Sequence, residues 1–177
     1  MIFRPCRLAG AFVLDVERVE DDRGFFARTF CARELEAQGL VTTFVQHSVS
    51  YNRRRAILRG MHYQADPRPE VKIVRCTAGR IHDVLLDLRP DSPTCLGWEA
   101  VELSAENRRL VYVPRGFAHG FQALTDDAKV SYQISEFYAP ELARGVRWDD
   151  PAFGIEWPLG DPILSDRDRS YPDFRRS

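Results

Sequence analysis

Two stretches decide the fold: Phe117-Ala118-His119-Gly120-Phe121-Gln122-Ala123 and Lys129-Val130-Ser131-Tyr132-Gln133-Ile134. A strand turns successive side chains to opposite faces. Phe117, His119 and Phe121 therefore share one face of the first. Val130, Tyr132 and Ile134 share a face of the second, opposite Ser131 and Gln133. Working outward, 43–51, 57–63, 71–76, 80–88, 98–103, 109–113, 117–124 and 128–137 read as strands. So does 11–19, which ends at the acidic turn Glu20-Asp21-Asp22. Arg23-Gly24 then opens a further short strand through Phe25-Phe26. One helix is expected over 32–39, with Gly39 as its C-cap. Strands this frequent, punctuated by Gly and Pro, predict an all-β sandwich or barrel.

His119 and Tyr132 thus sit on faces that are otherwise apolar. In an all-β barrel such faces point inward, and a buried imidazole or phenol must find partners or border a wet cavity. Either alone reads as a satisfied core residue; the constellation around them carries the case for function.

The 177 residues fit one domain, with a barrel core over about 11–138 and a wrap rich in Pro, Gly and Trp over 139–177. A net charge of −1 argues against an electrostatic nucleic-acid binder. No apolar run approaches the roughly 18–20 residues of a membrane span. The opening MIFRPCRLAG lacks the apolar stretch of a secretory leader, so a cytoplasmic location is expected. Cys6, Cys31, Cys76 and Cys95 are scattered without a CxxC pair, which disfavours both disulfides and a thiolate zinc site.

The chain uses Arg almost wherever it needs a cation, and Lys72 and Lys129 are its two lysines. A compact ammonium can do chemistry that a guanidinium cannot, which draws attention to Lys72. The run Pro114-Arg115-Gly116-Phe117-Ala118-His119 resembles the second motif of the cupin barrels. The first cupin motif normally supplies two histidines and a glutamate seven residues before a glycine. Here Gly79 has Lys72 at that place, and His62 is the one histidine left. An ammonium where a metal needs a carboxylate repels a dication. What remains is an imidazole base and a cation, the equipment for proton transfer beside a carbonyl.

Leu58-Arg59-Gly60-Met61-His62-Tyr63-Gln64 resembles the LRGxHYQ signature of the dTDP-4-dehydrorhamnose 3,5-epimerase family. Agreement continues in order through Asp22-Arg23-Gly24-Phe25-Phe26, Val84-Leu85-Leu86-Asp87-Leu88-Arg89 with Ser92-Pro93-Thr94, Pro114 to Phe121, Phe137-Tyr138-Ala139-Pro140 and Leu164-Ser165-Asp166-Arg167-Asp168. The resemblance implies a cupin-like jelly-roll barrel with a few short helices. It implies a homodimer that needs neither metal nor cofactor and epimerises a nucleotide-linked 4-keto-6-deoxyhexose. It implies His62 as base, Tyr132 as acid, Asp168 as the carboxylate orienting His62, and Lys72 beside the enolate oxygen. Arg23, Arg28, Gln46, Ser48, Arg59, His119 and Arg167 fall at its substrate-contact positions.

Spacing leaves two points open. Asp83, an acidic residue in an apolar strand, rivals Asp168 as the partner of His62. Arg59 and His62 differ by three, so a flat strand would point them to opposite faces unless a bulge intervenes near Gly60. The chain also departs from the family where Arg28 and Ala143 replace glutamates, and its loop over 46–55 lacks the usual Gln-x-Asn. Catalytic positions are kept while recognition positions change, so the reaction class is better specified than the substrate. Competing readings are a metal-dependent cupin using His62 and His119, a ketoisomerase of the same fold, and a carbohydrate-binding barrel without activity.

Overall fold

The computed structural model describes residues 1–175 and is built mainly from thirteen antiparallel strands. In chain order these are β1 (Ile2–Pro5), β2 (Phe12–Asp15), β3 (Arg18–Asp21), β4 (Gly24–Ala27), β5 (Gln46–Asn52), β6 (Leu58–Gln64) and β7 (Lys72–Ala78). They continue with β8 (Arg80–Asp87), β9 (Trp98–Ser104), β10 (Leu110–Val113), β11 (Phe117–Ala123), β12 (Ala128–Ile134) and β13 (Ala143–Gly145). Helix α1 covers Ala32–Ala37 and α2 covers Asp166–Arg169. No helix among the described residues is long and apolar enough to cross a membrane.

A six-stranded sheet runs β1-β2-β10-β7-β12-β5, and a five-stranded sheet runs β13-β6-β11-β8-β9. Their inner faces meet in the main core. The first sheet contributes Val74, Val111, Val113 and Val130, and the second contributes Ile81, Leu85, Leu103, Phe117 and Phe121. This is the jelly-roll arrangement in which alternating side chains of two sheets interdigitate. The inward face read from Phe117, His119 and Phe121 is real, but all of β11 is buried. The reason is a second layer: Val146 and Phe153 of the C-terminal wrap cover Val84, Leu86 and Ala118 on the outer face. Gln122 fastens the wrap, donating to the Leu159 carbonyl and accepting from the Leu159 amide. On the other sheet, Leu35 of α1 packs over Leu14, Ile73, Leu110 and Tyr112.

Several boundaries differ from the sequence reading. The segment 11–19 breaks into β2 and β3, because β3 leaves the sheet to pair with β4 as a separate ribbon. The expected strand over 43–51 begins at Gln46, and that over 128–137 ends at Ile134. Helix α1 stops at Ala37, and Gly39 follows it with φ +68°, the left-handed conformation that suits glycine after a helix. Strands β1 and β13 and helix α2 are too short to leave a periodic signal.

Candidate active site

A cavity of about 660 Å³ opens between the two sheets. His62 of β6 and His119 of β11 face it from the five-stranded sheet, and Lys72 of β7 and Tyr132 of β12 face it from the six-stranded sheet. Arg59, Ser48 and the α2 residues Arg167 and Asp168 complete the predicted residues that line it.

The β6–β11 pairing explains how Arg59 and His62 reach the same cavity. His119 lies opposite His62, and Phe121 lies opposite Arg59, so β6 spends three steps where β11 spends two. The extra residue is a bulge at Gly60-Met61, which restores both side chains to one face. Glycine is required there. A Cβ on Gly60, whose φ is +144°, would stand 2.6 Å from the Gly120 Cα, and one on Gly120 would stand 2.8 Å from the Arg59 carbonyl oxygen.

Asp168, not Asp83, partners His62. The His62 Nε2 stands 2.6 Å from Asp168 Oδ1, joining residues 106 apart in sequence. Ser165 caps α2 by accepting the Asp168 amide at 3.2 Å, which fixes the aspartate backbone. Burial alone would raise the Asp168 carboxyl, but the His62 hydrogen bond and charge, with Ser165 and Gly60, hold it below the usual carboxylate range. An ionised carboxylate only accepts, so the proton of a neutral imidazole sits on Nε2 and Nδ1 keeps its lone pair. Asp83 instead serves His119: its Oδ1 is 2.8 Å from the His119 Nε2, and its Oδ2 has no hydrogen-bond partner among the described residues. The Tyr132 ring meets His119 edge to face at 6.2 Å. Burial pushes the Tyr132 phenol well above its ordinary pKa; Ser50 and Arg59 pull the other way, and Asp83 adds to the rise.

The Lys72 ammonium is buried, 2.8 Å from Glu70 Oε1 and 3.4 Å from the His62 carbonyl oxygen. Arg59 is braced by neutral acceptors, donating from Nε to Asn52 Oδ1 at 2.8 Å and from Nη2 to the Tyr51 carbonyl at 3.2 Å. Arg167 donates to the Tyr171 hydroxyl at 2.9 Å. Tyr171 in turn packs against His62, in space that only a glycine at 145 leaves free.

Three predicted contacts lie elsewhere. Arg23 sits on the exposed β3–β4 turn, held by Asp21, and Arg28 pairs with Glu34 at 2.8 Å. Neither lines this cavity, because their ribbon stands apart from both sheets. Gln46 acts behind the wall, accepting the Tyr138 amide at 2.6 Å and so setting the loop that brings Tyr138 to the cavity. Sequence reasoning passed over Glu70, Ser50, Tyr138 and Tyr171. Tyr138 had a signal in the Phe137-Tyr138-Ala139-Pro140 match, Ser50 in the altered 46–55 loop, and Glu70 in its place two residues before Lys72. Among the described residues no group of three or more His, Cys, Asp or Glu side chains is placed to share a metal ion.

A family model described as dTDP-4-dehydrorhamnose 3,5-epimerase matches residues 5–176. The chain is 43% identical to the dTDP-4-dehydrorhamnose 3,5-epimerase of Methanothermobacter thermautotrophicus, over 99% of this chain and 95% of that protein. It superposes on the crystal structure of the Bacillus anthracis dTDP-4-dehydrorhamnose 3,5-epimerase, with TDP and PPi bound, at a TM-score of 0.94 and 39% identity, covering 98% and 99% of the two chains. ChmJ, a 3'-monoepimerase from Streptomyces bikiniensis in complex with dTDP-quinovose, superposes at a TM-score of 0.88 and 36% identity, covering 96% and 86%. The same residues that build the cavity therefore sit in a frame shared from end to end, and the chain belongs to the dTDP-4-dehydrorhamnose 3,5-epimerase family.

Proposed function

We propose that this isomerase inverts C3, C5 or both in a nucleotide-linked 4-keto-6-deoxyhexose, and that His62 and Tyr132 exchange the protons. One observation carries the reading: His62, with Nε2 committed to Asp168, and the Tyr132 phenol face one cavity from opposite sheets. The C4 ketone acidifies the hydrogens on C3 and C5. Nδ1 of His62 takes one of them, the C–H electron pair becomes the enolate double bond, and the carbonyl π pair moves onto oxygen. Asp168 stabilises the imidazolium that forms, as the carboxylate of a triad does. Lys72 receives the oxyanion, a role worth about 2.7–4 kcal/mol per donor in comparable sites, and His119 borders the sugar beside it. Tyr132 then protonates carbon from the other side. A phenol is already protonated at neutral pH, the form an acid needs, and burial moves its pKa further up.

Arg59 and Arg167 are the cations suited to the diphosphate, since a guanidinium donates bidentately to phosphate oxygens. The working unit in this reading is a homodimer. In support, Val19 and Phe26 on the β3–β4 ribbon are 72% and 77% exposed, and Val49 on the edge strand β5 is 68% exposed. Pairing would also give Arg23 and Arg28, which have no access to their own cavity, a route to a neighbour's.

The test is conversion, followed by proton NMR, of 4-keto-6-deoxyglucose linked to a panel of nucleoside diphosphates. The reading expects an epimerised product with at least one of them. A change of keto position without inversion would favour the ketoisomerase, and tight binding without turnover would favour a binding barrel.

A further inference from the structure

The charges of the cavity divide into two sets. Arg59 and Arg167 are held by neutral acceptors and are in no ion pair among the described residues, so their charge is free for an anionic ligand. The groups proposed to act on the sugar are each matched to a carboxylate: His62 to Asp168, His119 to Asp83, and Lys72 to Glu70. Of the two carboxylates lining the cavity, Asp168 is already committed to His62 and held at its backbone by Ser165. Glu70 is therefore the counter-ion of Lys72.

Glu70 is built into this place. The backbone of Val71 is pinned to Ser135 in both directions: the Val71 amide donates to Ser135 Oγ at 2.8 Å, and the Ser135 amide donates to the Val71 carbonyl at 3.0 Å. Val71 itself is buried outward under α1, so period-two alternation turns Glu70 and Lys72 together into the cavity. Their side chains are 14% and 10% exposed, where an ion pair is much less screened than at the surface.

We infer that Glu70 is a positioning residue, which holds the Lys72 ammonium of β7 beside the sugar, 3.4 Å from the His62 carbonyl oxygen on the facing sheet, and keeps it from swinging to the diphosphate. A lysine has four rotatable bonds and a compact charge, and an unmatched ammonium in this cavity would be drawn to the strongest anion present. The inference rests on the reading of Lys72 given above.

Two lysines make the test simple, because Lys129 is exposed and serves as an internal reference. Wild type, Glu70→Gln and Glu70→Asp are pulsed with acetic anhydride at fixed pH, and acetylation at Lys72 relative to Lys129 is read by mass spectrometry. An amine released from its carboxylate partner is freer to meet the reagent, so Glu70→Gln should raise the Lys72 ratio about fivefold or more, with Glu70→Asp in between. Thymidine diphosphate alone should bind Glu70→Gln roughly threefold tighter, as Lys72 turns toward phosphate, while kcat falls about tenfold. An unchanged labelling ratio, or thymidine diphosphate binding that is unchanged or weaker, would overturn the inference. A lowered Tm with kcat and binding falling together would give Glu70 a structural role only, and would overturn it too. If labelling and nucleotide binding respond as expected but wild type turns over no 4-keto sugar nucleotide, the reaction assignment fails and the Glu70–Lys72 pair stands.

Discussion

In the proposed mechanism Tyr132 separates removal of a proton from its return. Replacing it with Phe deletes the proposed acid and leaves His62 and Asp168 untouched. Tyr132→Phe in deuterated water should therefore still exchange the sugar hydrogen that faces His62, while inverted product falls by about 10²- to 10⁴-fold. Loss of exchange and inversion together would remove Tyr132 from the acid role. Much of the cavity's polar lining was legible at single positions. His119 and Tyr132 stood out as polar groups on apolar faces, and Lys72 as a lysine in an arginine-rich chain at a cupin glutamate position. Their partners were not. Asp168 lies 106 residues from His62, and only packing of the C-terminal wrap brings them to 2.6 Å. Asp83 stood out as an acidic residue in an apolar strand, but which histidine it served did not show. That depends on β8 pairing directly with β11, a long-range choice with no local trace.

At the scale of elements, the β6 bulge positions the site, and the turn after β8 fixes a loop away from it. Gly120→Ala would drive a methyl group into the Arg59 carbonyl and the Met61 sulfur. The expected cost is about 1–3 kcal/mol, measured by urea unfolding, with a larger proportional loss of activity because Arg59 and His62 share the displaced segment. The need for a bulge could be inferred from the spacing of Arg59 and His62, whereas the glycine pair that permits it becomes visible only once β11 is laid against β6. The turn after β8 is built on Asp87, which is fully buried and accepts from Arg89, Ser92 and Thr94. Burial pushes its carboxyl up, but those bonds outweigh it and leave the pKa at about 2. A folded pKa below the unfolded one means the stabilisation is complete above about pH 4 and drains as pH falls toward 2. It amounts to about 2 kcal/mol. Asp87→Asn should therefore be less stable at pH 7 and should lose less than wild type between pH 5 and pH 2. Parallel acid profiles for the two proteins would show that Asp87 contributes nothing through its charge.

At the scale of the whole molecule, an all-β sandwich or barrel with His119 and Tyr132 facing inward followed from periodicity, and a wrap was read after residue 139. Which faces the wrap covers, and that the β3–β4 ribbon stands apart, did not follow, because both are short pieces fixed by contacts far along the chain. The ribbon leaves Phe26 and Val19 exposed, and the proposed homodimer covers them. Light scattering should give twice the chain mass for wild type and a shift toward monomer for Phe26→Asp; a monomeric wild type would contradict the dimer. The central claim is that His62 takes a proton from carbon beside the ketone. Its most direct measurement is deuterium uptake from heavy water at C3 and C5 of the sugar nucleotide, comparing wild type with His62→Asn after both are shown to be folded. The account predicts deuterium in the inverted product of the wild type and uptake by His62→Asn reduced by at least about a hundredfold. Equal uptake by the two proteins, or inversion by the wild type without any deuterium, would contradict it.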